Sequence, residues 1–295
     1  MRKIVKPWIK LKGNIDSEDY ELVHQLQERC VEHDQTALKL ELDYKLGVTG
    51  EKNGVQNINE FMYFDGERLI GYIGVCSFGG PWEVNGMVDH EYRRQGVFTK
   101  LFELVLAEAK RRDSKGMLLL SDRQSDSGQK FITATGARYK HSEYEMYLKG
   151  QPAQQQSALS FRKATNADAM EIARQNAIYF NDEQEVEVNP EDLIMPEEEE
   201  KRGMTAYLAE MDGQIVGKVN LQLTSKLGAI FGLGVLPEHR RKGFGREILL
   251  MGVGKLKEAN AKEIMLQVAA ENSNALNLYK SCGFVETSTM DYYDL

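Results

Sequence analysis

Two short segments of the chain carry residue types suited to holding phosphate: Arg93-Arg94-Gln95-Gly96-Val97-Phe98 and Arg240-Arg241-Lys242-Gly243-Phe244-Gly245. Each follows an apolar run that reads as a strand and opens a periodic run that reads as a helix. A glycine at such a junction removes the side chain where backbone N–H groups must come close to a ligand. The first N–H groups of a helix lack internal partners, and the helix dipole favours negative charge there. A phosphate or pyrophosphate suits that position, and the basic side chains add charge at the same mouth. The alternative is a plain strand-to-helix turn with a solvated basic edge. Tyr279, in E-N-S-N-A-L-N-L-Y-K-S-C-G-F at 271–284, is the second group of interest. A tyrosine on such a short amphipathic helix is usually a core residue.

The two basic turns belong to a longer repeat. Arg93 and Arg240, Arg94 and Arg241, and Gly96 and Gly243 are each 147 residues apart. The same offset relates Asp65-Gly66 to Asp212-Gly213 and Gly136 to Gly283. One offset across three separated landmarks implies two tandem copies of a whole domain rather than a solenoid unit. Domains are expected at 1–150 and 158–295. A linker is expected at 151–157, where Gly, Pro and polar residues cluster.

In the second copy, 158–162 reads as a strand, and Asn166 reads as the N-cap of a helix starting at Ala167. The runs 205–210 and 214–222 form a hairpin about Asp212-Gly213. A strand follows at 229–235, then a helix from Gly243 to about Glu258 with a stripe of Ile248, Leu249, Val253 and Leu256. A strand at 264–268, a helix at 273–281 and a closing strand at 284–293 complete the order. Alternation sends Tyr292 and Tyr293 to opposite faces of that last strand. The first copy repeats the pattern with strands at 61–64, 69–76, 84–88 and 117–120 and helices at 96–112 and 128–135. Hairpins come first and a strand-helix-strand unit follows, so each copy is mixed α/β rather than a doubly wound nucleotide-binding sheet. Gly232-Leu233-Gly234 is not a dinucleotide fingerprint, since no third glycine follows at the required spacing.

The bulk numbers set limits. A length of 295 residues suits two domains. A net charge of −8 argues against a general nucleic-acid surface while leaving room for a local basic funnel. Three cysteines without C-x-x-C spacing indicate neither a disulfide framework nor a zinc site. The N-terminus is basic without an apolar core segment, and no stretch is long enough to span a bilayer, so the expected location is cytoplasmic with no membrane partner.

The pairing of V-x-P-x-x-R-R-x-G-x-G with a downstream N-x-x-A-x-x-L-Y-x-x-x-G-F resembles the GCN5-related N-acetyltransferase (GNAT) superfamily. The match covers 158–295, and 1–150 resembles the same fold more weakly. The resemblance implies an α+β mixed sheet in each of two tandem acyltransferase-like domains. It also implies acetyl-coenzyme A (acetyl-CoA) as co-substrate, no metal, and a primary amine as acceptor. A splayed gap is implied between the strands ending near Val235 and Val268. By position, the backbone of Leu233, Gly234 and Val235 would pair with the pantetheine arm and polarise the thioester carbonyl. Arg240, Arg241, Lys242, Gly243, Phe244, Gly245 and Arg246 would cradle the pyrophosphate. Asn272 would hydrogen-bond the pantetheine, and Tyr279 would protonate the departing thiolate. Many members have a Glu in the strand before the motif as general base; the strand at 227–233 here has no carboxylate, which leaves a water chain, or Glu210 or Asp212 near the hairpin, as the base. A tandem arrangement is also similar to mycothiol synthase, although no residue here specifically supports a thiol-sugar acceptor.

The same offset carries Tyr279 to Ile132, Gly245 to Phe98, Asn272 to Ser125 and Ile230 to Glu83. The first copy is therefore expected to be degenerate, with at most a second cofactor site at Val88, Arg93, Arg94, Gln95, Gly96 and Val97. Glu83 is either a solvated edge residue or a vestigial base. The carboxylates Glu183, Glu185, Glu187, Glu191 and Asp192 could attract a cationic small-molecule amine, while 197–200 reads as a solvated face. The other readings are a protein or peptide amine as acceptor, or a non-catalytic acyl-CoA sensor. A monomer containing an internal pseudo-dimer is the expected assembly.

Overall fold

The computed structural model describes residues 1–47, 57–77, 80–151, 157–180, 193–224 and 226–295. Packing divides them into two units, Met1–Glu143 with Ser288–Leu295, and Tyr144–Thr287. Residues 152–156 of the expected linker lie outside the described residues, as do Glu183, Glu185, Glu187, Glu191 and Asp192.

The first unit runs β1 (Pro7–Lys12), α1 (Ser17–Asp34), α2 (Leu42–Gly47), β2 (Glu60–Asp65), β3 (Arg68–Cys76), β4 (Trp82–Val88), α3 (Val97–Arg111), β5 (Met117–Asp122), α4 (Asp126–Thr135) and the start of β6 (Arg138–Leu148). Strands β1 to β5 pair in order, antiparallel except for the parallel β4–β5 pair. Helices cover both faces of this sheet, which explains why β2 is buried along almost its whole length. Val84 and Val88 pack with Val97, Leu101 and Val105 of α3, while Met62, Tyr72 and Met87 pack with Val23 and Leu26 of α1.

The second unit runs β7 (Ser160–Lys163), α5 (Ala169–Phe180), α6 (Pro196–Lys201), β8 (Met204–Met211), β9 (Gln214–Thr224), β10 (Leu227–Val235), α7 (Phe244–Glu258), β11 (Glu263–Ala269), α8 (Ser273–Ser281) and the start of β12 (Phe284–Asp294). Again the strands are antiparallel except for the parallel pair, β10–β11. The expected α7 stripe of Ile248, Leu249, Val253 and Leu256 is buried in the core. Asp212 and Gly213 both adopt positive φ, 50° and 77°, as a two-residue hairpin turn of matching twist requires.

Two sequence expectations need correction. Asn166 is not the cap of α5. Thr165 caps a short 3₁₀ turn through a capping box with Asp168, and α5 begins only at Ala169. The Asn166 side chain instead pairs with Glu197, so that member of the 197–200 run has a partner. The closing strand also finishes in the first unit, where Met290–Asp294 pairs antiparallel with β5. Tyr292 and Tyr293 do face opposite ways there: Tyr292 bonds Glu143 and stacks on His141, and Tyr293 bonds Gln129.

Candidate active site

The two basic turns share one backbone. Arg94 and Arg241 have φ of 61° and 63°, and Gly96 and Gly243 have φ of 77° and 88°. Each glycine is the N-cap of the following helix, and neither α3 nor α7 has a side-chain cap. Their first N–H groups are thus left for a ligand. The first arginine of each pair braces the turn, since Arg93 Nε donates to the Val88 carbonyl (2.9 Å) and Arg240 Nε to the Val235 carbonyl (3.0 Å). The sequence repeat is a repeat of conformation.

Behind each turn the parallel strands part. The β4–β5 pairing ends at Val84↔Leu119, although β4 continues to Val88 and β5 to Asp122. The β10–β11 pairing ends at Ile230↔Leu266, leaving Leu233, Gly234 and Val235 without a partner on that side. All three are half-buried.

In the second unit α8 is tied to the turn. Arg246 Nη1 donates to Ser281 Oγ (3.1 Å), Arg241 Nη2 lies 3.4 Å from Asn274 Oδ1, and Leu278 packs beside Gly245. Tyr279 on α8 is 8% exposed and packs with the core. Its hydroxyl has no hydrogen-bond partner among the described residues, and burial pushes the phenol up to about 12. Such a phenol stays protonated at neutral pH and so can give a proton. Asn272 Oδ1 caps α8 by accepting from the Ala275 N–H (3.1 Å), which leaves its amide nitrogen for any contact with a ligand. Arg240, Arg241, Lys242 and Gly243 are exposed. Glu210 is held by Arg162 (2.6 Å), and Asp212 stands exposed in the hairpin turn.

The first unit keeps a cavity of about 470 Å³ in its splay, bounded by the ends of β4 and β5, the turn and α4. Phe98, in place of the second glycine, does not fill it. The ring leans edge-on against Phe131 at 4.6 Å and forms part of the wall. The Asn85 amide nitrogen, also in the wall, is buried without a partner. Two differences set this turn apart. Arg93 is gripped by both carboxylate oxygens of Asp34 (2.8 and 2.5 Å), and Gln95 stands where the other turn has Lys242. Ile132, at the place of Tyr279, is a buried core residue. Glu83 is no solvated edge residue. It sits 3.7 Å from the enclosed Lys39 ammonium, and burial raises its carboxyl despite that neighbour.

Lys218, on β9, was invisible to motif reading. It is fully buried, donates to the Gly232 carbonyl (3.1 Å) and faces the Tyr179 ring at 5.9 Å. Burial pushes its ammonium down to about 8. Nearby Asn220 Oδ1 is buried without a partner among the described residues. A lysine among β-branched strand residues carries no signal for such a place. Only the alternation of β9, which turns Val219 and Leu221 toward the α7 core, hints that Lys218 faces the other side.

Comparison with known proteins points the same way as the geometry. Residues 169–284 match the model of the acetyltransferase (GNAT) family. An N-alpha-acetyltransferase of Sulfurisphaera tokodaii is 34% identical over 100 residues, which cover 30% of this chain and 60% of that protein. A mycothiol acetyltransferase of Thermobispora bispora is 36% identical over 85 residues, 26% of this chain and 29% of that one. The chain thus spans less than two thirds of either relative. A tandem GNAT protein from the clavulanic acid biosynthesis pathway shares the fold, with a TM-score of 0.71, 16% identity and 98% of each chain covered. Among the described residues no helix is long and apolar enough to cross a membrane, and no cluster of potential metal ligands is present. With the doubled turn, the doubled splay and these likenesses together, residues 169–284 form a domain of the acetyltransferase (GNAT) family, and the whole chain is similar in fold to tandem proteins of that kind.

Proposed function

We propose that the second unit is an acetyl-CoA-dependent N-acetyltransferase site acting on a primary amine of a small molecule, and that the first unit binds at most the acyl donor. The observation that carries this reading is the company of the α7 N-terminus. Uncapped N–H groups open α7, three exposed cations precede it, and Arg246 ties α7 to α8, the helix that carries the Tyr279 phenol. The donor set fits a pyrophosphate: a side chain added at Gly243 would meet nothing within 4 Å, so the mouth is open.

When bound, acetyl-CoA supplies the acetyl group as a thioester. The backbone of Leu233, Gly234 and Val235 would hold the pantetheine as an added strand, and an N–H there would donate to the thioester oxygen. A donor aimed at developing negative charge is commonly worth about 3–4 kcal/mol. The amine, entering unprotonated, attacks the carbonyl carbon; the C–N bond forms as the C–S bond breaks, and Tyr279 gives its proton to the leaving sulfur. With no carboxylate on β10, the proton of the amine passes to water.

A protein α-amine is the second acceptor reading, favoured by the likeness to the archaeal N-alpha-acetyltransferase. Thiol release from acetyl-CoA, measured with a panel of small amines, amino acids and peptides, separates the two.

The reading is tested by acetyl-CoA stoichiometry in native mass spectrometry, on wild type and Gly243→Glu. One equivalent, lost on substitution, supports a single working cradle in the second unit. Two equivalents falling to one assign a donor site to the first unit as well. No binding by wild type ends the acetyltransferase reading.

A further inference from the structure

Between Phe231, the last residue of β10 in continuous register with β9, and Gly234, where the register resumes, Gly232 and Leu233 belong to neither the β9 nor the β11 ladder. Gly232 has φ of 54°, in the left-handed region. A bulge of this kind re-aims backbone groups and strips a carbonyl of its strand partner. Here the carbonyl of Gly232 is taken by Lys218, which sits opposite Gly234 on β9.

Lys218 does not earn its place through stability. An ammonium taken out of water is costly unless paired with a carboxylate and fully hydrogen-bonded. Lys218 is in no ion pair among the described residues; it donates to one carbonyl and faces the Tyr179 ring, and Nζ and the Asn220 carboxamide both crowd the space over Gly232. A methyl group at Gly232 would lie 3.0 Å from Nζ and 3.3 Å from Asn220 Nδ2, so the two side chains close tightly over the bulge.

The peptide plane gives that contact a consequence. In a trans peptide the C=O and the following N–H point in opposite directions in one rigid plane, and no cis bond occurs among the described residues. Holding the Gly232 oxygen therefore fixes the direction of the Leu233 N–H, away from Lys218.

We infer that Lys218 is a positioning residue for acyl transfer, anchoring the Gly232 carbonyl so that the Leu233 N–H is held as the donor to the thioester oxygen. This rests on the proposed donor site of the second unit. Lys218 touches neither the thioester nor the amine and acts through the peptide plane. Its charge strengthens the anchoring bond, since hydrogen bonds from ionised donors are about twice as strong as neutral ones.

The test compares full-length wild type, Lys218→Met and Lys218→Gln. Infrared difference spectra of bound, carbonyl-labelled acetyl-CoA report how strongly the thioester C=O is polarised. Wild type should shift the band to lower frequency than in solution, Lys218→Met should lose the shift, and Lys218→Gln, which keeps a neutral donor, should recover part of it. Turnover of Lys218→Met should fall by about 10–100-fold, at or below the scale of a lost oxyanion donor, with little change in the KM for acetyl-CoA. Its melting temperature should hold or rise, which a merely structural role does not allow. If Lys218→Met fails to fold, Gly232→Ala keeps the lysine but crowds it at the carbonyl and should reduce the same band shift. Binding with an unchanged band in the variants overturns the inference and leaves the donor site standing. Failure of wild type to bind acetyl-CoA overturns both.

Discussion

Asp34 holds both terminal nitrogens of Arg93, whereas Arg240, the matching residue of the second unit, stands exposed, with the Val235 carbonyl as its hydrogen-bond partner among the described residues. The first turn is thus partly neutralised from within, and among the described residues the second has no such carboxylate. Burial works to raise the Asp34 carboxyl, but Arg93 and His33 outweigh it and hold it below the usual range. Its contribution to stability is therefore present above the unfolded carboxylate pKa, about 4, and is lost as pH falls through the lower folded value. Asp34→Asn should cost about 1–3 kcal/mol at neutral pH while freeing Arg93. Titration of coenzyme A into chains already carrying Gly243→Glu reads the first unit alone, and the Asn variant should bind more tightly. Equal affinity would show that Asp34 does not mute the turn.

Tyr279→Phe and Ile132→Ala test the division of labour between the units. The first removes a hydroxyl with no hydrogen-bond partner among the described residues, so stability should stay within about 0.5 kcal/mol. Turnover should fall by about 100-fold or more, as expected for a lost general acid. Because the phenol sits at about 12, wild-type turnover should show no loss from its ionisation between pH 6 and about 10. Ile132→Ala should cost about 2–5 kcal/mol with turnover nearly intact below its melting temperature. Equal losses of turnover in the two variants would sink the assignment.

Arg162 forks onto Asp168 with two bonds of 2.8 Å and reaches Glu210 as well. The Arg162 bonds, with the Thr165 N–H and hydroxyl, hold the Asp168 carboxyl far below the ordinary range. A depressed folded pKa stabilises above the unfolded value and is lost as pH falls below about 4. Asp168→Asn should lower stability by about 1 kcal/mol at pH 7, the scale of a partly solvated pair. The difference from wild type should shrink as melting curves are taken at progressively lower pH. A gap that persists at the lowest pH would refute the linkage.

Lys39 lies among Glu143 (3.2 Å), Glu83 (3.7 Å) and the Tyr292 hydroxyl (2.5 Å), all in the first unit. Lys39→Met leaves two enclosed carboxylates without their cation, a change that typically costs about 3–5 kcal/mol. Burial already raises Glu83, and losing the ammonium should raise it further. A carboxyl with a raised folded pKa favours the folded state below its unfolded value and loses that favour as pH climbs. The variant's deficit should therefore grow from pH 4 to pH 8 in chemical denaturation. A pH-independent deficit would mean the loss is one of packing.

Local chemistry explains what was legible in the sequence alone. The offset of 147 residues announced two copies, and the periodicities of α7, β10 and α8 announced their elements. A glycine needed at positive φ and a helix dipole act over a few residues, so Gly243, Arg241 and the shared turn could be read directly. Partners distant in sequence could not. Asp34 meets Arg93 across 59 positions; whether a basic turn is charged or quenched depends on where α1 ends in space. Asn166 has the composition of a cap, but Thr165 and Asp168 complete a better one, and Glu197 draws the Asn166 amide away. The last strand finishes in the first unit because burial and hydrogen bonding choose its neighbours, and alternation fixes only which side chains share a face. Lys218 is the sharpest case: its letter says solvent, and only the tertiary structure, by closing the sheet, Tyr179 and a bulged carbonyl around it, makes it a buried cation bound to backbone.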